Sequence, residues 1–140
     1  MSYVNTFICI SEDCPVETGV VPQSNRQPKP IHLLQYELIT QSPYTYTHEE
    51  LLLEVNRRRD AVADDELEAY RIRLFEKKHP CLRASMLAKK YGWGIHYNEQ
   101  GQIAIYAAGT AEYTAWLEDS GTTVVRAMRN SRAGKSATAP

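Results

Sequence analysis

Between Lys77 and Asn98 the chain carries five bases, Lys77, Lys78, Arg83, Lys89 and Lys90, two histidines, His79 and His96, and no Asp or Glu. In a chain whose formal net charge is -1, this is a local positive region. Arginine grips a carboxylate or phosphate through parallel N–H groups. Arg83 stands just before Ser85, the expected cap of a short helix, where free backbone N–H groups also favour an anion. His96 falls on the adjoining hairpin between small neighbours that leave its imidazole reachable, with Tyr106 on the same strand face. Such residues could form an anion-binding pocket containing a group that changes charge near neutral pH. The expected ligand-binding set is therefore Arg83, Ser85, Lys90, Trp93, His96 and Tyr106. Arg83 and Lys90 supply charge, His96 a switchable donor or acceptor, and Trp93 and Tyr106 a wall.

Structural explanations stand beside each assignment. Lys89 and Lys90 lie in a helix's last turn, where cations are favourable without a ligand. Arg83 could pair with a carboxylate of the acidic third helix, and His96 could occupy the wetter face of a sheet. Ser85 reads as a cap rather than a nucleophile, since no histidine is close in sequence and no nucleophile-elbow spacing surrounds it. His96 could act as a general acid or base, but no second catalytic group accompanies it, so an enzymatic role stays open. No GxxxxGK[ST], no glycine-rich strand-to-helix loop and no HExxH is present. A metal site from Cys9, Cys14 and Cys81 with His79 or His96 lacks a close CxxC pair, so neither a metal nor a cofactor is expected.

The elements that must position these residues follow from spacing. Residues 3–10, YVNTFICI, read as a buried strand. Residues 11–30 form a proline-rich loop long enough to be mobile or functional. Ile31, Leu34, Leu38 and Ile39 recur at helical spacing over 30–41, and Pro43 follows. Thr47 and Glu50 form a capping box before a helix over 48–59, with Leu51, Leu52 and Val55 inward and Arg57, Arg58 and Arg59 in its last turn. A third helix starts at Asp64 or Asp65 with Leu67, Tyr70, Leu74 and Phe75 inward, and Pro80 closes it. Ser85 caps a short helix that Gly92 ends. WGIHY and QIAIYA flank NEQG, a turn ending in glycine. Pairing Asn98 with Gln102 puts Trp93, Ile95, Tyr97, Ile103, Ile105 and Ala107 on one face, and Gly94, His96, Ala104 and Tyr106 on the other. Thr110 caps a helix with Tyr113, Trp116 and Leu117 inward, and TTVVRAM is a last strand.

The fold class expected is α+β: a small antiparallel sheet centred on the 93–107 hairpin, covered by several helices. One domain spans 1–129, and 130–140 form a disordered polar tail. A length of 140 residues with 43% hydrophobic content suits one core. The near-neutral balance argues against a dedicated nucleic-acid binder, although Arg126, Arg129, Arg132 and Lys135 form a second basic run without acids. No apolar run reaches membrane-spanning length, and the N-terminal stretch has no basic region before a cleavage site, so a cytoplasmic protein is expected. Three cysteines suit a reducing compartment.

The stretches NTFICISEDCP, LQYELI with PYTYT, PCLRAS with KKYGWGIH and GQIAIYA, and RAMRNSR together resemble a group of small uncharacterised bacterial proteins classed as a domain of unknown function. The resemblance covers roughly Asn5 to Arg132 and implies a stand-alone cytosolic domain. Within it, Arg83, Ser85, Tyr91, Trp93 and His96 belong to the signature, and no activity comes with them. Two functions are expected from different classes. The first is a module binding a small anionic ligand. The second is a protein-interaction or assembly module, including a homo-oligomer, with Tyr44, Tyr46 and the proline-rich loop as its surface.

Overall fold

A computed structural model of the chain describes residues 3–131. A four-stranded sheet is its centre, with β1 at Thr6–Cys9, β2 at Trp93–Tyr97, β3 at Ile103–Ala107 and β4 at Thr123–Arg126. The order across the sheet is β3-β2-β1-β4. The hairpin pairs as its pattern requires: Trp93 faces Ala107, Ile95 faces Ile105, His96 faces Ala104 and Tyr97 faces Ile103. Asn98 N–H donates to the Gln102 carbonyl, and Gly101 takes φ +77, a left-handed turn position that glycine reaches at little cost.

The sheet departs from the antiparallel expectation at one edge. β1 pairs antiparallel with β2 but parallel with β4, Phe7 opposite Val124. The connection from β1 to β4 is nearly the whole chain, long enough for a parallel pairing. The fold is thus α+β with a mixed sheet.

Helices α1 (Ile31–Gln41), α2 (His48–Arg59) and the four-residue α4 (Met86–Lys89) cover one face. Ile8, Ile95, Tyr97 and Ile103 pack there against Leu34, Leu38, Leu51 and Leu87. The opposite face is covered by α5 (Ala111–Glu118), where Phe7 and Cys9 meet Tyr113, with Tyr106 and Trp116 alongside. Both faces being covered explains why β1 is a continuous apolar run rather than an alternation: Phe7 and Ile8 are each 0% exposed.

Three of the expected helix caps are present, whereas the third helix is capped by neither Asp64 nor Asp65: Glu66 stands at its start without a side-chain cap. Thr47 and Glu50 close a reciprocal capping box, and Ser85 and Thr110 cap their helices. Two helices differ from expectation. α3 (Leu67–Phe75) stops well before Pro80, and none of Leu67, Tyr70, Leu74 and Phe75 is fully buried, because the helix packs on the edge of α2 rather than on the sheet. In α5, Leu117 is turned to solvent while Tyr113 points inward.

The proline-rich loop is tied down across the end of the hairpin. Gly19 N–H donates to the Ala108 carbonyl, Val20 N–H to the Tyr91 carbonyl, and the Trp93 indole N–H to the Val20 carbonyl. Asn130 and Ser131, the first residues of the expected tail, donate their amides to Asp13. Residues 132–140, with Arg132 and Lys135 of the second basic run, lie outside the described residues. No described helix is long and apolar enough to cross a membrane.

Candidate functional site

Helix α2 offers a stripe at i, i+3, i+4, i+7 and i+8: His48, Leu51, Leu52, Val55 and Asn56. Such a stripe covers about a third of a helix's circumference and calls for a partner surface. It meets Ile31, His32 and Gln35 of α1 only in part. Between the two helices and the segment 79–86 there remains a cavity of about 290 Å³. His79, Pro80, Cys81, Leu82, Ala84, Ser85 and Met86 form its third wall. Leu51, Val55 and Leu82 are its buried floor, and the exposed Ile31, Pro80 and Met86 mark its mouth.

The polar groups are few and directed. Ser85 Oγ donates to Gln35 Oε1 at 2.7 Å while accepting from the Leu87 amide, so the α4 cap also ties α4 to α1. His79 Nε2 donates to the Leu74 carbonyl at 2.7 Å. His32 stacks on Tyr91, centroids 4.9 Å apart. His48 is 5% exposed, and its Nδ1 has no hydrogen-bond partner among the described residues. Burial lowers the pKa of His32, helped by the charges of Arg26 and Lys90. Burial likewise lowers that of His48; Glu49 opposes this and His79 adds to it. Both imidazoles are therefore neutral at pH 7. Three of the four histidines line one cavity, and among the described residues no Asp, Glu, Lys or Arg lines it with them.

The six residues expected to bind a ligand together are not gathered in one hollow. Ser85 alone of them lines this cavity. Arg83 donates from Nε to the Arg126 carbonyl and so braces the end of β4. Lys90 is exposed at the end of α4. Trp93 packs edge-on against Tyr36 on the α1 face. His96 and Tyr106 project from the opposite face, since neighbours along a strand alternate.

His96 is not reachable in the way its small neighbours suggested. It is 5% exposed, covered by Trp116, and its Nδ1 lies 2.9 Å from Tyr44 Oη. Tyr44 Oη in turn lies 2.7 Å from Tyr106 Oη. Burial lowers the pKa of His96, so the ring is neutral, and its tautomer sets which group donates along the His96–Tyr44–Tyr106 chain. Tyr44 holds a left-handed φ of 57, uncommon for a bulky residue, and its amide donates to the Ile103 carbonyl. Each of the three side chains has its hydrogen-bond partner within this chain. Gly94 is likewise covered: a Cβ there would lie 2.3 Å from Phe7 Cζ and 2.7 Å from Tyr113 Cε2, so rings and not a ligand approach its backbone.

The cavity residues missed from sequence are His32, Gln35 and His48, while His79 was noted in the basic stretch but not placed in the binding set. The α2 stripe was visible in Leu51, Leu52 and Val55, but His48 was read only as the start of the helix. Among the described residues no group of three or more His, Cys, Asp or Glu is placed to hold a metal ion, and all three cysteines are free thiols. Comparison with curated proteins and with solved structures gives no match. A family of unknown function (DUF6157) matches residues 1–133, and the chain belongs to that family.

Proposed function

We propose that the protein is a binding module for a small organic ligand, seated in the cavity between α1, α2 and segment 79–86. The observation that carries this reading is the cavity wall itself, mostly apolar, with the almost fully buried His48 and two further histidines among its few polar groups. A mostly apolar wall with a few polar groups is the usual make-up of a small-molecule site. The ligand implied has an apolar body against Leu51, Leu52 and Val55 and a hydrogen-bonding end.

The assembly reading draws less support. Tyr44 is bonded to His96 and Tyr106, and Tyr46 packs against the main core, so each offers only part of its ring as surface.

Filling the cavity tests the proposal. Leu52 lines it and is only partly buried, so Leu52→Trp places an indole in the space while leaving the floor intact. Small organic acids, amides and alcohols are expected to include compounds that raise the wild-type melting temperature, by mass action on the folded state. The rise should vanish in Leu52→Trp. A panel that shifts neither protein, or both equally, overturns the reading.

A further inference from the structure

We infer that the ligand of this cavity is an organic carboxylate with an apolar body, and that its anionic head is held by the lining imidazoles and bound together with a proton. The inference rests on the cavity reading above and names the ligand's class.

The composition of the wall carries it. A buried charge needs an opposite charge or several hydrogen bonds. A cationic ligand would find no carboxylate in the lining. It would also meet Arg26 and Lys90, whose charges already act on His32, and Glu49 beside His48 is the single acidic influence on either ring. A neutral ligand could pair with an imidazole of the wall but would gain nothing from its capacity to carry charge. An anion suits this wall: a lining imidazole such as His32 or His48 can become a cation, and an anion within the same low-dielectric space favours that change.

The groups facing the imidazoles define the balance. On α1 and before it, His32 has Arg26, Lys90 and the stacked Tyr91. On α2, His48 has Glu49 on its own helix and His79 across the cavity. On the third wall, His79 is fixed by the Leu74 carbonyl through Nε2, and Cys81 is a neighbouring free thiol. Without a bound anion, burial keeps His32 and His48 neutral, and Arg26 and Lys90 add to this at His32. A carboxylate entering against His48 reverses the sign of the local field, and the imidazole takes a proton from solvent. No covalent bond forms or breaks.

Benzoate, its neutral isostere benzamide, and inorganic phosphate are the probes. Binding is followed through the histidine ring resonances and by calorimetry in two buffers of different ionisation enthalpy. Benzoate should bind more tightly at about pH 6 than at about pH 8, by up to about tenfold per pH unit for each proton taken up. It should shift the His48 resonance, and the heat should depend on the buffer. Benzamide should bind weakly and without pH dependence, and phosphate, lacking the apolar body, should not bind. His48→Gln should remove the pH dependence of benzoate binding; His32→Gln, on α1, repeats the test should the first variant fold poorly.

Equal binding of benzoate and benzamide at both pH values, blocked by Leu52→Trp, overturns the charge assignment and leaves the cavity reading intact. Phosphate binding as tightly as benzoate overturns the requirement for an apolar body. No binding of any probe, or binding that Leu52→Trp does not affect, removes both readings.

Discussion

The His96 imidazole lies flat on the Trp116 indole, ring centroids 3.6 Å apart and planes 18° from parallel. The stack closes the α5 face of the sheet over a histidine whose other contact is the Tyr44 hydroxyl. Tyr44→Phe deletes the middle of the Tyr106–Tyr44–His96 chain and leaves His96 Nδ1 without its partner in a buried place. We expect a loss of about 1–3 kcal/mol in urea unfolding, against about 1 kcal/mol for Tyr106→Phe, which removes an end of the chain. Equal losses in the two variants would show that the chain does not act in this order.

Acid stability follows from three histidines. His32, His48 and His96 all have pKa values lowered by burial. The unfolded chain takes up protons at the ordinary histidine value of about 6.5, while the folded chain resists until lower pH. Below that value the unfolded state therefore binds more protons, and stability falls as pH falls. The urea midpoint should be lower at about pH 5.5 than at about pH 7.5, and His32→Gln should flatten the slope in part. A midpoint that holds level or rises on acidification contradicts the burial of these rings as neutral species.

How far the sequence carried can be seen in particular residues. The hairpin register was legible because one pairing alone puts Trp93, Ile95, Tyr97, Ile103 and Ile105 on a common face. The α2 start was legible because Thr47 and Glu50 act within one turn. The parallel docking of β4 on β1 was not, since nothing local in TVVR specifies a partner more than a hundred residues away. The expected site failed for a related reason. Bases close together along 77–98 were taken to be close in space, but strand alternation sends His96 and Trp93 to opposite faces, and Arg83 turns to a carbonyl of β4. The cavity is instead assembled from three separated segments, and its histidines, taken singly, carry no signal that they face one another.

Gly94 gives a packing test of the second face. Rings of Phe7 and Tyr113 meet edge-to-face over it, centroids 5.1 Å apart. The methyl of Gly94→Ala would overlap both rings, and neither can retreat easily: Phe7 is 0% exposed, and Tyr113 Oη accepts from the Ile10 amide. We expect a loss of about 1–3 kcal/mol from overpacking. Adding Phe7→Leu should cost less in the Gly94→Ala background than in the wild type, since the smaller side chain makes room for the methyl. Additive losses would place the rings elsewhere.

Asp13 holds the end of the described chain against the start of the loop. Its Oδ1 accepts from Ser11 Oγ and from the Asn130 amide, and its Oδ2 accepts from the amide and hydroxyl of Ser131. These donors, Ser11 foremost, hold the carboxyl well below the usual aspartate range. A group with a depressed folded pKa contributes above its ordinary value of about 3.9 and loses that contribution as pH falls below it. Asp13→Asn removes the charge and turns one acceptor into a donor facing the Asn130 or Ser131 amide. Hydrogen exchange at those two amides should quicken severalfold, while the Ala127 amide, bonded to the Cys9 carbonyl in line with the sheet, should keep its protection. The same selective loss should appear in the unaltered protein near pH 3, once the known pH dependence of intrinsic exchange is divided out. Protection at Asn130 and Ser131 that survives Asp13→Asn would mean that backbone contacts from Ala127 and Met128, rather than the carboxylate, hold this segment in place.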